Sequence, residues 1–310
     1  MCGQPAPIRA GRLGRPGTAT TGSARRPRPA SGPATCRLVA MSAGAVELVV
    51  TDLDGTLSDV GERVHPRTVE AVGALRTAGV PLLVATGRRP RSAAWVLAPA
   101  GLSVPAVLLD GALGQDLRDG RTFHRAGFAP DAARRVLDGF TAVGLEPCLF
   151  VDRPGVELLV GPHPSTHPGH LARNRAWAAT ADLAQVVEAE PVLTFTVVGG
   201  QAPVLDQVAR AVGAAGSSSV TPDLLYGGCT LQVRPPGVSK WSGVVAFCAR
   251  EGLDPGRVLA VGDGANDVEL LEGAKIACAV RGGHPAALAR ADHLVEPPEA
   301  GGWAAVLDLL

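Results

Sequence analysis

The run Val46-Glu47-Leu48-Val49-Val50-Thr51-Asp52-Leu53-Asp54-Gly55-Thr56 decides the fold. Its apolar half predicts a buried strand whose C-terminal end presents two carboxylates one residue apart. Open α/β sheets collect their chemistry at the carboxyl ends of strands. An extended chain would send Asp52 and Asp54 to opposite faces, but Gly55-Thr56 lets the chain turn, so both can converge on one pocket. Two acids that close repel unless a cation lies between them or one is protonated. The pattern fits a divalent metal with a division of labour between the acids, and it also fits a plain turn with acidic capping residues.

Working outward, Val80-Pro81-Leu82-Leu83-Val84-Ala85 predicts a second buried strand, ending in Thr86-Gly87-Arg88. A hydroxyl and free N–H groups at a strand end can hold phosphate, although Thr-Gly after a strand is also ordinary turn chemistry. Arg257 to Val261 predicts another strand, opening into Gly262-Asp263-Gly264-Ala265-Asn266-Asp267 and a helical pattern. Three polar groups at a strand-to-helix junction suit a hard cation with oxygen ligands; helix capping alone needs one of them. The chain has only two lysines, and one of these, Lys240, opens an apolar helical stretch after Pro235-Pro236-Gly237-Val238-Ser239. An ammonium at a helix start can neutralise phosphate or keep a carboxylate ionised.

Asp52-x-Asp54-Gly55-Thr56, Thr86-Gly87-Arg88, Lys240 and Gly262-Asp263-x-x-Asn266-Asp267 resemble, in order, the four motifs of the haloacid-dehalogenase superfamily. Their local forms are similar to the Cof-type sugar-phosphatase branch with a type IIB cap. The resemblance covers most of residues 42–112 and 236–285. It implies a Rossmann-like parallel-sheet core with an inserted α+β cap, and a Mg²⁺-dependent phosphatase acting on small phosphorylated metabolites, sugar phosphates among them, through an aspartyl-phosphate. It implies that Asp52 is the nucleophile and Asp54 the general acid and base. Asp52, Asp263, the Asp54 carbonyl and Asp267 would hold Mg²⁺. Thr86, Gly87, Lys240, Asn266 and the backbone of Leu53 would hold the phosphoryl oxygens. A phosphotransferase or phosphomutase on the same core, and a non-catalytic phosphate-binding protein, stay open. The branch reads Asn-Gly-Ala where this chain has Asp110-Gly111-Ala112; an ionised aspartate accepts hydrogen bonds but donates none. The residues predict Asp110 as a turn residue pairing with Arg88 or Arg89.

Zero formal net charge argues against a general nucleic-acid binder, which would show a basic footprint, and gives no support for an acidic-membrane partner. No apolar run approaches the roughly 18 residues that span a bilayer. The six cysteines show no CxxC spacing and no cysteine–histidine cluster, which predicts reduced thiols and a cytoplasmic location.

Residues 1–41 are rich in Arg, Pro, Gly, Ser and Thr and have no acid. That composition predicts a disordered or mis-assigned N-terminal extension rather than a targeting signal, with Met41-Ser42 as a natural start. Strand and helix alternate over 42–112 and again over 236–310, the rhythm of a parallel sheet with helices on both faces. Residues 113–235 read as the inserted cap, with helical patterns at 130–143 and 202–215 and four strand-like runs. Within it, Asp152, Arg153, His163, His167 and His170 form a polar, Pro-rich stretch that is a candidate for sugar recognition, or simply a solvated loop for the histidines. Trp177 reads as an isolated residue packing a helix.

Overall fold

The computed structural model describes residues 46–223 and 225–310; the expectations for residues 1–41 lie outside them. Two sheets organise the described residues. The first holds β1 (Leu48–Thr51), β2 (Leu82–Ala85), β3 (Pro105–Leu108), β4 (Leu113–Asp116) and β5 (Thr122–Arg125). The second holds β6 (Cys148–Arg153), β7 (Val156–Val160), β8 (Ala178–Thr180), β9 (Thr194–Gly200), β10 (Ser217–Pro222) and β11 (Cys229–Arg234). The chain then returns to the first sheet with β12 (Val258–Gly262), β13 (Ile276–Val280) and β14 (His293–Val295). The orders are β14-β13-β12-β1-β2-β3-β4-β5 and β10-β11-β9-β6-β7-β8.

The first sheet is parallel from β14 to β3, and β4 and β5 extend it antiparallel. Residues 113–125 therefore belong to this sheet, a correction to the boundary expected at 113. The segments Leu-Gly-Gln-Asp and Thr-Phe-His-Arg are too short and too polar to show a strand period. β1 lies between β12 and β2, pairing Thr51 with Val261 and with Val84. This brings the ends of the three motif-bearing strands side by side.

Among the described residues, five helices flank the first sheet: α1 (Pro66–Thr77) and α2 (Pro90–Leu97), and, late in the chain, α7 (Lys240–Glu251), α8 (Val268–Gly273) and α9 (Pro285–Leu288). Val49, Val84 and Leu259 pack with α1, α2 and Trp303. Their neighbours Val50, Leu83 and Ala260 pack with α7 and α8. Burial on both faces is why these strands read as unbroken apolar runs. Between the two halves come α3 (Pro130–Ala142), α4 (Pro168–Asn174), α5 (Leu183–Ala189) and α6 (Ala202–Val212). Leu149, Phe195, Val197, Leu231 and Val233 of the second sheet pack against α3, α5 and α6. The opposite face carries Phe150, Thr196, Val198 and Gln232, which line a cavity shared with the first sheet.

Candidate active site

β1 delivers Asp52, buried, to the centre of the first sheet's carboxyl edge, where its N–H donates to the Val261 carbonyl at 2.8 Å. The chain then curls: the Leu53 carbonyl accepts from the N–H groups of Leu57 and Ser58 and from the Ser58 hydroxyl. Gly55 makes the turn at φ +79, and a Cβ there would stand 2.7 Å from Asp263 Oδ2. Glycine is thus required twice over, by its backbone and by the close approach of the β12 loop. The Thr56 hydroxyl donates to Asp263 Oδ1 at 2.8 Å, joining the first motif to the last.

Lys240 opens α7. Ser239 caps that helix, accepting from the Ser242 N–H while the Ser242 hydroxyl accepts from the Ser239 N–H. This fixes where the lysine stem starts. Its ammonium is buried and donates to Asp52 Oδ1 at 2.5 Å and Asp267 Oδ1 at 2.7 Å. Asp267, fully buried, uses its other oxygen to accept from the N–H groups of Asp263 and Gly264, at 3.0 and 2.8 Å. It thereby shapes the loop that presents Asp263.

Carboxylate oxygens of Asp52, Asp263 and Asp267 lie within 4.8 Å of one another. Burial raises the Asp52 carboxyl well above its ordinary value; Lys240 pulls it down, and Asp267, Asp263 and Asp54 push it up again. Asp263 is raised by burial and then by Asp267. Burial opposes the Lys240 charge, but Asp267 and Asp52 more than offset it and hold the ammonium above its ordinary value. One buried cation facing three acids leaves excess negative charge. A divalent ion with oxygen ligands fits that donor set and would relieve it.

The side chain of Asp54 is 45 % exposed and opens on the cavity. Arg88 spans it, with Nε 3.0 and 2.8 Å from its two oxygens and Nη2 2.6 Å from Oδ1. Arg88 Nη1 also donates to Glu62 at 2.8 Å, and Glu62 accepts from Arg173 of α4 at 3.0 Å. Glu62 sits at φ +59, a costly backbone for a non-glycine. Arg88 stands in the Thr-Gly-Arg motif, so a sequence signal for it existed; Glu62 carried none.

Thr86 is buried at the end of β2, and its hydroxyl accepts from the Arg88 N–H at 3.1 Å. Gly87 and Asn266 line the same cavity. Asp110 is buried in a left-handed turn with Leu109, at φ 50 and 53. The turn is as expected, but the arginine pairing is not: Asp110 accepts from Asn266 Nδ2 at 3.0 Å. Arg88 is taken by Asp54 and Glu62, and Arg89 by Glu157 and Asn174. No sequence pattern could rank these competing acids.

The polar stretch in the insertion divides. Asp152 pairs with Arg125 and Arg153 with Glu190, both outside this cavity. His163 is exposed. His167 accepts from the Gly169 N–H to cap α4, and its ring lies 5.1 Å from Tyr226. His170, expected in a solvated loop, is instead buried and lines the cavity, and burial followed by the Arg89 charge pushes it down to about 4. Trp177 is not isolated: its ring centroid is 5.7 Å from that of Trp95 on α2, and the Arg91 guanidinium lies 4.1 Å from its own. The cavity holds about 800 Å³, with Asp52, Asp54, Thr86 and Asp263 on one side and the second sheet on the other. The four described cysteines, Cys148, Cys229, Cys248 and Cys278, are free thiols. No helix among the described residues is long and apolar enough to cross a membrane.

Residues 49–307 match the family model of the haloacid dehalogenase-like hydrolases. The chain is 24% identical over 264 residues to the pyridoxal phosphate phosphatase YbhA of Escherichia coli, covering 80% of this chain and 92% of that one. It is 23% identical over 262 residues to a chloroplastic endoribonuclease YBEY of Arabidopsis thaliana, covering 79% of this chain but only 43% of the plant protein. Among solved structures, the haloalkanoate-superfamily phosphatase BT1666 of Bacteroides thetaiotaomicron superimposes with a TM-score of 0.70 at 19% identity, over 88% of this chain and 97% of that one.

Proposed function

We propose that this chain, which belongs to the haloacid dehalogenase-like hydrolase family, is a Mg²⁺-dependent phosphatase of small phosphorylated metabolites, sugar phosphates foremost, working through an aspartyl-phosphate. The observation that carries the reading is the buried Asp52 carboxylate, held by Lys240 beside Asp263 and Asp267, at the wall of a cavity large enough for a small metabolite. Phosphate binding alone needs no nucleophile, and a buried acid cluster is a costly way to attract an anion.

Asp52 would attack phosphorus in line with the leaving oxygen. The Asp52–phosphorus bond forms as the bond to the leaving oxygen breaks, and Asp54 gives that oxygen a proton. A water then attacks the phosphorus of the aspartyl-phosphate, passes its proton to Asp54 and releases inorganic phosphate, which restores both acids. Asp54 has to turn from Arg88 towards the leaving oxygen to act. Mg²⁺ held by Asp52, Asp263, the Asp54 carbonyl and Asp267 would offset the repulsion between carboxylate and phosphate. Lys240 spends two of its three N–H groups on Asp52 and Asp267, which leaves one for a phosphoryl oxygen. Asn266 spends one amide hydrogen on Asp110 and keeps one. Thr86 accepts from Arg88, so its hydroxyl hydrogen is available too. Donors aimed at the charge that develops on phosphorus stabilise the transition state without rearrangement.

The test is phosphate release from a panel of phosphorylated metabolites, including sugar phosphates and pyridoxal phosphate, with Mg²⁺ and with EDTA. Release should need the metal and vanish in Asp52→Asn. Asp54→Asn should keep a remnant, about 10²–10⁴ below wild type, the usual worth of acid–base help. Silence across the panel by folded, Mg²⁺-loaded protein would refute the phosphatase. Isomerised sugar phosphate without free phosphate would make it a mutase, and equal, complete loss in both variants would remove the separate roles.

A further inference from the structure

The connection Leu109-Asp110-Gly111 after β3 touches three of the four motif segments. Its backbone bonds to the Thr-Gly-Arg turn: the Asp110 N–H donates to the Thr86 carbonyl at 3.1 Å and the Leu109 N–H to the Arg88 carbonyl at 3.0 Å. Gly111, at φ +109, packs on the start of α7. A Cβ there would stand 2.0 Å from the carbonyl oxygen of Ser239, the residue that caps the helix in front of Lys240. The Asp110 side chain reaches the last motif, at Asn266. Three non-glycine residues among the described ones have a positive φ, and Leu109 and Asp110 are two of them, side by side. Backbone strain of this kind persists where the surroundings hold it, and it collects at functional sites.

Aspartate tolerates the left-handed region, which accounts for a short polar residue at 110. It does not account for a carboxylate buried at the wall of the cavity that Asp52 and Thr86 also line. Asp110 lies over Gly87, where an added Cβ would be 3.2 Å from its Oδ1. Burial opposes the Lys240 charge, and Asp110 joins Asp267 and Asp52 in holding it. A negative charge in that place repels a phosphate, so its presence calls for a structural reason.

The reason lies in the Asn266 amide. A carboxylate only accepts hydrogen bonds, whereas a carboxamide has a donor end and an acceptor end. Asp110 Oδ1 accepts from Asn266 Nδ2 at 3.0 Å. The Asn266 carbonyl oxygen turns to Gly264, where an added Cβ would stand 2.5 Å from it. Reversing the amide would set its oxygen against the Asp110 carboxylate, acceptor against acceptor. We propose that Asp110 is a positioning residue, whose acceptor-only side chain locks the Asn266 carboxamide with its second N–H turned to the phosphoryl group. The inference rests on the phosphatase reading above and adds a residue that acts on the reaction through Asn266.

The test is a double-mutant cycle of Asp110→Gly and Asn266→Ala, read on the best substrate of the phosphate-release panel with Mg²⁺. Glycine adopts the Asp110 backbone freely, so the cycle reports the side chain. Asn266→Ala should lower kcat about 10²–10³-fold, the usual worth of one transition-state donor. Asp110→Gly should lower kcat about tenfold to a hundredfold, because the donor remains but is no longer aimed. Its KM should hold or fall, since a negative charge leaves the phosphate pocket; general damage to the site would raise it. The double variant should be no slower than Asn266→Ala alone. Asp110→Asn keeps an acceptor and tolerates a positive φ, so it should recover most of the lost kcat. Should Asp110→Gly not fold, Asp110→Ser, one atom shorter, carries the same cycle. An unchanged kcat in Asp110→Gly, or a loss that multiplies in full onto that of Asn266→Ala, overturns the positioning role and leaves the phosphatase standing. No release by wild type from any substrate overturns both.

Discussion

Replacing Lys240 with methionine removes the only cation among the described residues that is bonded to Asp52 and Asp267, while keeping the stem. Both carboxylates are buried and each lies within 2.7 Å of the ammonium. Breaking a buried pair from one side typically costs about 3–5 kcal/mol, because the orphaned charge stays desolvated. In a chain of this size that corresponds to a fall of roughly 10 °C in melting temperature. Part of the loss should be recoverable, since a divalent cation at Asp52, Asp263 and Asp267 supplies the missing positive charge. At a hundredfold excess over its dissociation constant, an ion binding only the native state adds about 2.7 kcal/mol. The pH dependence has a definite sign. Burial and the neighbouring acids already raise the folded-state pKa of Asp52, and removing Lys240 takes away the charge that pulls it down. A raised carboxyl takes up protons in the native state before it does in the unfolded chain, so the variant's deficit narrows as pH falls from 7 towards 5. The assay is urea unfolding of both proteins with and without Mg²⁺, at pH 7 and pH 5.5. A deficit under about 1 kcal/mol, equal at both pH values and indifferent to Mg²⁺, would refute the charge-balance argument.

Three other outcomes follow from the same packing and charge arrangement. Gly55→Ala should destabilise by about 2–3 kcal/mol and weaken Mg²⁺ binding, because its Cβ would meet Asp263 at a φ that alanine resists; calorimetry and metal titration read both. His170 has a folded-state value of about 4 against 6.5 when exposed, so the unfolded chain protonates first. Stability should therefore fall between pH 6.5 and 4, by about 3 kcal/mol more than in His170→Gln once below that range, as unfolding curves at stepped pH would record. Trp177→Ala removes the tilted ring contact with Trp95 and the Arg91 guanidinium contact and should cost about 1–2 kcal/mol by urea unfolding, with no effect expected had Trp177 been a solvated ring.

The sequence by itself determined the parallel core and the acid cluster. Leu48 to Thr51, Leu82 to Ala85 and Val258 to Val261 are buried on both faces, so their apolar runs announce strands without help from neighbours. Asp52, Thr86, Lys240 and Asp263 sit at the ends of such runs or at a helix start, where local chain geometry already aims a side chain. Tertiary structure decided whatever depended on competition between distant partners. Arg88 could have chosen Asp110 and instead holds Asp54 and Glu62; Asp110 turned to Asn266. β4 and β5 joined the first sheet because β3 offered an edge, though their own residues carry almost no strand signal. The cavity's polar wall is the clearest case. Ser219, Gln232 and Thr196 come from three separate strands, and only strand register sets them in a row. Register is a property of pairing between segments, which no single segment encodes.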